Sequence, residues 1–117
     1  MNKKIAVVED EPFVADNLDE ILKIKGYETF FIEPFTATVE SLLLPNPDLL
    51  LLDVWVGVRR LGLELAFGIR RINKAIPILF ITADVSPETK EIMNVLGEVL
   101  LKPFGLDEFL DKVQSLL

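Results

Sequence analysis

Short apolar runs alternate along this chain with longer segments whose apolar residues recur at helical spacing. The clearest run is Leu49–Asp53, in which four leucines follow a proline-rich turn and end at a carboxylate. An unbroken apolar run of this kind is typical of a strand buried on both faces of a parallel sheet. Further strands are predicted at residues 5–8, 27–32, 77–81 and 99–101.

Amphipathic helices are predicted between and after these strands. The first begins at Pro12, where the missing backbone N–H is harmless, and ends at Gly26. A loop is predicted at residues 57–62, and Ser86 is expected to cap the fourth helix through its hydroxyl group. The other helices are predicted at residues 36–44, 65–72, 87–96 and 106–117. This alternation predicts an α/β fold, in which helices cover both faces of a doubly wound, five-stranded parallel sheet.

The length and composition fit one domain. The chain has 117 residues, 50% of them hydrophobic, and it shows no internal repeat or linker, so residues 1–117 are expected to form a single domain. No apolar run approaches the roughly 18 residues that a membrane helix needs, and the run near the amino terminus is too short for a signal peptide. A cytoplasmic location without membrane contact is therefore expected.

Charge and missing residue types exclude several kinds of chemistry. The net charge of −7 argues against direct nucleic-acid binding, because such binding needs a basic surface. The sequence has no cysteine and no histidine. Disulfides, thiolate chemistry and Ser-His triads are thereby excluded, and the commonest zinc ligand is missing. Any chemistry must use carboxylates, lysines and hydroxyl groups.

Polar residues follow four of the five predicted strands. Glu9 and Asp10 follow the first strand, Asp53 ends the third, Thr82 follows the fourth and Lys102 follows the fifth. The carboxyl ends of parallel strands lie at one edge of a sheet, so these side chains are expected to converge. Three crowded carboxylates repel one another unless a cation lies among them, and Mg²⁺ suits oxygen ligands beside a phosphate.

These groups suffice for phosphoryl transfer. An aspartate can accept a phosphoryl group, while an ammonium and a hydroxyl can hold its oxygens. Each residue alone has an ordinary interpretation: Asp53 could cap the next turn, Glu9 and Asp10 could form a solvated turn, and Lys102 could lie on the surface. Their joint placement at four strand ends favours a phosphoryl-accepting site centred on Asp53.

Four short segments resemble the receiver domains of two-component response regulators, in the order and approximate spacing of that family. They are Val8-Glu9-Asp10-Glu11-Pro12, Leu51-Leu52-Asp53, Phe80-Ile81-Thr82-Ala83 and Leu101-Lys102-Pro103-Phe104. The resemblance covers essentially the whole chain. It implies a CheY-like sheet of order 2-1-3-4-5 with five helices, and a cis Lys102–Pro103 bond.

The resemblance also implies the roles of the site residues. Asp53 would take a phosphoryl group from a phosphohistidine on a histidine kinase or phosphotransfer protein, and the domain would then switch its contacts with a downstream effector. Mg²⁺ would be bound by Asp53, by Asp10 directly, by Glu9 through water and by the carbonyl of Trp55. Thr82 would move toward the phosphoryl group and Lys102 would pair with it. The domain would thus catalyse its own phosphorylation and dephosphorylation without being a metabolic enzyme.

The chain departs from the family pattern in three places. The first acidic residue is Glu9 where an aspartate is usual. The loop after Asp53 is lengthened and contains Arg59 and Arg60, either as solvated charges or as contacts to a kinase or phosphate. Val99 occupies the position of an aromatic switch residue and cannot relay a signal by ring rotation. Output would then use another route, or the domain would only pass phosphoryl groups on.

Two further positions concern the lifetime of the aspartyl phosphate. Trp55 and Asp84 stand two residues after Asp53 and Thr82, at positions that influence hydrolysis in the family. Trp55 is predicted to cover the phosphoryl group and slow the attack of water, or else to form a protein contact.

Other functions remain open at this point. The chain could be a receiver-like protein-binding module that has lost phosphorylation-dependent switching. A Mg²⁺-dependent phosphatase is disfavoured, because Asp53-Val54-Trp55 lacks a second aspartate. A flavodoxin-like carrier is disfavoured by the absence of a phosphate-binding loop after the first strand. Leu100 and the last helix could form a homodimer face, although core packing would explain them equally well.

Overall fold

Five strands form one parallel sheet in the order β2-β1-β3-β4-β5 in the computed structural model, which describes residues 2–117. The strands are β1 (Lys4–Val8), β2 (Glu28–Phe31), β3 (Leu49–Asp53), β4 (Ile78–Thr82) and β5 (Glu98–Leu101). All neighbouring strands pair in parallel. The predicted strand order is therefore confirmed.

The side chains of the sheet alternate between two apolar cores, one on each face. Ala6, Val8, Leu50 and Leu52 face one core, whereas Ile5, Val7, Leu49 and Leu51 face the other. All five residues of β3 are buried. This burial on both faces explains why the strand reads as an unbroken apolar run that can carry a charge only at its end.

The helices divide between the two faces. They are α1 (Pro12–Ile24), α2 (Val39–Leu43), α3 (Leu61–Ile72), α4 (Pro87–Leu96) and α5 (Leu106–Leu116). Leu18 of α1 and Phe109 of α5 pack in one core. Leu42 of α2, Ala66 of α3 and Met93 of α4 pack in the other. The doubly wound arrangement with five helices is confirmed.

Three local predictions were wrong. The helix expected at residues 36–44 is a short 3₁₀ turn (Pro34–Thr36) followed by α2, because Thr38 and Ser41 form a reciprocal capping box that starts the helix later. The loop expected at residues 57–62 ends earlier, since α3 begins at Leu61. Ser86 does stand before α4, but its hydroxyl makes no capping hydrogen bond.

Gly62 brings the first turn of α3 against the end of β3. Its backbone N–H donates to the carbonyl of Val54 at 3.1 Å. A Cβ atom at this position would overlap the carbonyl oxygen of Asp53. Only glycine therefore permits this close approach, which fixes the backbone that carries Asp53.

Two further observations bear on the sequence predictions. The Lys102–Pro103 peptide bond is cis, as the resemblance implied. Across residues 2–117, none of the helices combines the length and the apolar character that crossing a membrane requires.

Candidate functional site

Three carboxylates meet at the carboxyl edge of the sheet. Glu9 and Asp10 follow β1, and Asp53 ends the neighbouring strand β3. Carboxylate oxygens of the three residues lie within 4.8 Å of one another. Glu9 and Asp53 are buried, at 6% and 7% exposed, whereas Asp10 is partly exposed. The fold thus gathers the acidic residues that the sequence placed at separate strand ends.

Lys102 supplies the opposite charge. It follows β5, two strands away from β3, and its side chain reaches over the end of β4. Its Nζ donates to Oε1 of Glu9 at 2.9 Å and to Oδ2 of Asp53 at 3.4 Å. Its backbone N–H donates to the carbonyl of Thr82 at 2.8 Å, which anchors the start of the side chain. Lys102 therefore bridges two of the three carboxylates.

The electrostatics show that one cation does not balance this cluster. Burial, followed by the neighbouring Glu9 carboxylate, raises the pKa of Asp53 to about 8, although Lys102 opposes the rise. Burial alone would lower the pKa of Lys102. Its hydrogen bond to Glu9 and the charge of Asp53 outweigh burial and raise that pKa. Additional positive charge would therefore stabilise the ionised carboxylates of this cluster.

Thr82 lies at the end of β4 and is 1% exposed. Its Oγ1 accepts a hydrogen bond from the backbone N–H of Asp84 at 2.9 Å. Among the described residues, no hydrogen bond joins this hydroxyl to Asp53 or Lys102. Thr82 thus ends the strand next to β3, and its hydroxyl is held by the loop that follows β4.

The side chain of Trp55 is directed to the same loop. Its Nε1 donates to Oδ2 of Asp84 at 2.9 Å, and the guanidinium carbon of Arg60 lies 5.0 Å from the ring centroid. Arg59 instead pairs with Glu64 at 2.8 Å and is exposed. The two arginines therefore differ: Arg60 stacks on the indole, and Arg59 forms a surface ion pair.

Comparison with known proteins agrees with this geometry. The model of the response regulator receiver domain matches residues 5–114. The chain belongs to the response regulator receiver family. The response regulator MprA of Mycobacterium ulcerans is 32% identical over 119 residues, which cover 100% of this chain and 51% of MprA. This receiver domain thus spans about half the length of the curated relatives it matches.

Solved receiver structures share the fold. The non-phosphorylated HemR receiver domain from Leptospira biflexa is 30% identical with a TM-score of 0.85, covering 98% of this chain and 94% of that one. The chemotaxis response regulator CheY4 of Vibrio cholerae is 26% identical with a TM-score of 0.81, covering 100% of both chains. The CheY-like fold is therefore established for residues 2–117.

The acidic cluster of this receiver domain suits a hard divalent cation. Glu9, Asp10 and Asp53 offer only oxygen atoms, which is the donor set that Mg²⁺ prefers. The raised pKa of Asp53 marks a buried carboxylate that added positive charge would stabilise in its ionised form. The residues present therefore fit such an ion.

Two features of the site were not predicted from the sequence. The first is the ion pair between Glu9 and Lys102, because Glu9 was expected only as a ligand through water. The second is the set of bonds that Asp84 collects, which includes one from the Oγ1 of Thr89 at 2.9 Å. A lone threonine on an amphipathic helix carries no signal that distinguishes it from an ordinary surface residue.

Proposed function

We propose that this receiver domain accepts a phosphoryl group on Asp53 from a phosphohistidine of a histidine kinase or phosphotransfer protein, in a Mg²⁺-dependent reaction. The main support for this proposal is the position of Asp53. One of its carboxylate oxygens lies within 4.8 Å of oxygens of Glu9 and Asp10, and Oδ2 lies 3.4 Å from Nζ of Lys102. Nucleophile, acidic cluster and cation are thus concentrated at one edge of the sheet.

Each residue has a defined part in this proposal. A carboxylate oxygen of Asp53 attacks phosphorus, the P–N bond to the donor imidazole breaks, and its electron pair stays on nitrogen. Lys102 neutralises charge on the transferred group, and Thr82 donates a hydrogen bond to it after leaving the Asp84 N–H. These groups position and stabilise charge, which is what phosphoryl transfer mainly requires.

Mg²⁺ would be held by Asp10, Asp53, Glu9 through water and the backbone carbonyl of Trp55. When bound, the ion neutralises charge on the phosphoryl oxygens and on the carboxylates. Glu9 contacts Lys102 through Oε1 in the structure, and its remaining lone pairs can accept a hydrogen bond from a metal-bound water. We further propose that Trp55 slows hydrolysis of the aspartyl phosphate by covering it.

The wider role follows from the family. We propose that residues 1–117 act as one receiver domain in the cytoplasm, and that phosphorylation changes its contacts with a downstream effector protein or domain. The net charge of −7 disfavours direct contact of this domain with nucleic acid. A protein-binding module without phosphorylation is the competing function.

The proposal is tested by incubating the protein with acetyl phosphate and Mg²⁺ and measuring its intact mass. One phosphoryl adduct is expected on the wild type and on Asp16→Asn, an exposed carboxylate of α1 that serves as a matched control. Asp53→Asn is expected to form none, and chelation of the metal should suppress the adduct on wild type. Failure of the folded wild-type protein to form an adduct would favour the binding-module alternative.

A further inference from the structure

Asp84 joins three separate segments of the chain through one carboxylate. Its Oδ2 accepts hydrogen bonds from the indole Nε1 of Trp55 and from Oγ1 of Thr89, each at 2.9 Å. Its Oδ1 accepts from the backbone N–H of Ser86 at 2.8 Å. Hydrogen bonds from Ser86, followed by the one from Trp55, hold the pKa of Asp84 well below its usual range. The carboxylate is therefore ionised, and both of its oxygens accept hydrogen bonds.

The same residue is also tied to the candidate site. The backbone N–H of Asp84 donates to Oγ1 of Thr82 at 2.9 Å, so the hydroxyl proposed to bind the phosphoryl group is held here at rest. Trp55 stands two residues after Asp53, and the guanidinium of Arg60 lies over its ring. Thr82, at the end of β4, and Trp55, after the end of β3, therefore both form direct hydrogen bonds with Asp84.

The other end of this network is the first turn of α4. Thr89 is 0% exposed, and in this buried position its hydroxyl needs a partner, which Asp84 provides. Helix α4 borders a groove of about 400 Å³, whose lining includes Asp84, Met93, Val99 and Leu101. Val99 has no ring to fill this space, so no aromatic side chain on β5 links the site to α4.

We propose that the Asp84 carboxylate is a latch that ties the loop after Asp53 to the first turn of α4, and that α4 is released when Thr82 leaves the Asp84 N–H. Asp84 is thus a positioning residue, which acts through Trp55 and Thr89 rather than on the phosphoryl group. The latch belongs to the resting protein, whereas its release rests on the function proposed above.

The latch is tested first without any phosphodonor, by amide hydrogen exchange and NMR. Trp55→Phe removes the indole N–H donor and keeps a smaller aromatic ring, and it is expected to speed exchange in the first turn of α4 by about threefold to tenfold, the range of one hydrogen bond. Thr89→Val keeps the shape of the side chain but removes the hydroxyl. Because coupling is reciprocal, it should speed exchange of the Trp55 indole N–H by a similar factor.

The control and the contradicting result are specific to this network. Glu91→Gln changes an exposed side chain of α4 for which no hydrogen bond or ion pair is found among the described residues, so both exchange rates should stay as in wild type. The chain has one tryptophan, so its indole N–H gives a single assignable signal. Unchanged α4 exchange in Trp55→Phe, or an unchanged indole signal in Thr89→Val, would overturn the latch.

Release of the latch is tested separately with acetyl phosphate and Mg²⁺. When intact mass shows the adduct on wild type, exchange in the first turn of α4 should rise, while Trp55→Phe, already released, should change by less than twofold. An adduct without any rise in wild-type α4 exchange would overturn the release. If no adduct forms, the proposed function fails, and the resting measurements alone then decide the latch.

Discussion

The ammonium of Lys102 lies 2.9 Å from a carboxylate oxygen of Glu9, a residue that precedes it by 93 positions in the chain. This ion pair shares one cation between Glu9 and Asp53, because the same Nζ is 3.4 Å from Asp53. The Asp53 carboxylate is therefore only partly compensated at rest. Its protonation depends on how the three groups divide their charges.

Burial is the larger cause of the raised pKa of Asp53, and the charge of Glu9 adds to it. Glu9→Gln removes a like charge, so the pKa of Asp53 is expected to fall from about 8 toward its ordinary value. Lys102→Met removes the opposing charge and should raise the pKa further. Carbon-13 NMR titration of the Asp53 carboxyl group measures both shifts. Glu11→Gln, an exposed neighbour, is the control, and an unchanged Asp53 titration in Glu9→Gln would contradict the assigned cause.

Magnesium should stabilise the folded domain through the acidic cluster. At about ten times its dissociation constant, a ligand specific to the folded state adds about 1.4 kcal/mol, which for a domain of this size raises Tm by about 5 °C. Thermal unfolding followed by circular dichroism with and without MgCl₂ measures the shift. Asp10→Asn should lose most of the shift and Asp16→Asn should keep it. Equal shifts in all three proteins would place the ion elsewhere.

Arg70 should be the stabilising arginine of α3. Its guanidinium donates to the carbonyls of Leu96, Asn73 and Ile76 at 3.0, 3.2 and 2.6 Å, so it joins the end of α3 to the end of α4. Arg70→Met leaves these carbonyls unpaired and is expected to lower the free energy of unfolding by about 2 kcal/mol. Urea unfolding measures the loss.

The neighbouring arginine gives the matched control for this effect. Arg71 is exposed, so Arg71→Met should change the free energy of unfolding by less than about 0.5 kcal/mol. Similar losses in the two variants would show that general charge, rather than the three bonds of Arg70, supports the junction between α3 and α4.

The fold could be predicted from sequence because its signals are local. The apolar run Leu49–Asp53 specifies a strand buried on both faces, and Gly26 and Pro12 mark the ends of α1. The helix predicted at residues 36–44 was too long. Thr38 caps the helix instead of forming part of it, so α2 begins only at Val39. Parallel pairing alone does not fix the strand order, which came from the resemblance to receiver domains.

The site was less predictable because its contacts depend on distances in space. Strand ends brought Glu9, Asp53 and Lys102 to one edge, as the topology requires. Lys102 lies closer to Glu9 than to Asp53 because of how far its side chain extends across the end of β4. The spacing of residues in the sequence does not determine this distance. The hydrogen bond that Asp84 accepts from Trp55 likewise depends on the orientation of the indole side chain after β3, which the sequence does not show.

The stability of the protein without metal should fall as pH rises from 5 to 8. The pKa of Asp53 is raised to about 8 in the folded state, against an ordinary value of about 3.9 in the unfolded chain. The folded state therefore holds a proton that the unfolded state has lost. This contribution is fully present below the unfolded pKa and disappears as pH passes through the folded one, with a slope of at most about 1.4 kcal/mol per pH unit.

Other shifted groups do not act in this pH range. The lowered pKa values of Asp19 and Asp84 give stability that is lost only in more acidic solution, and the raised pKa of Lys102 acts above pH 10. Urea unfolding in EDTA at several pH values measures the slope. Asp53→Asn cannot titrate and should be flat from pH 5 to 8, so an equal slope in wild type and Asp53→Asn would assign the proton to another group.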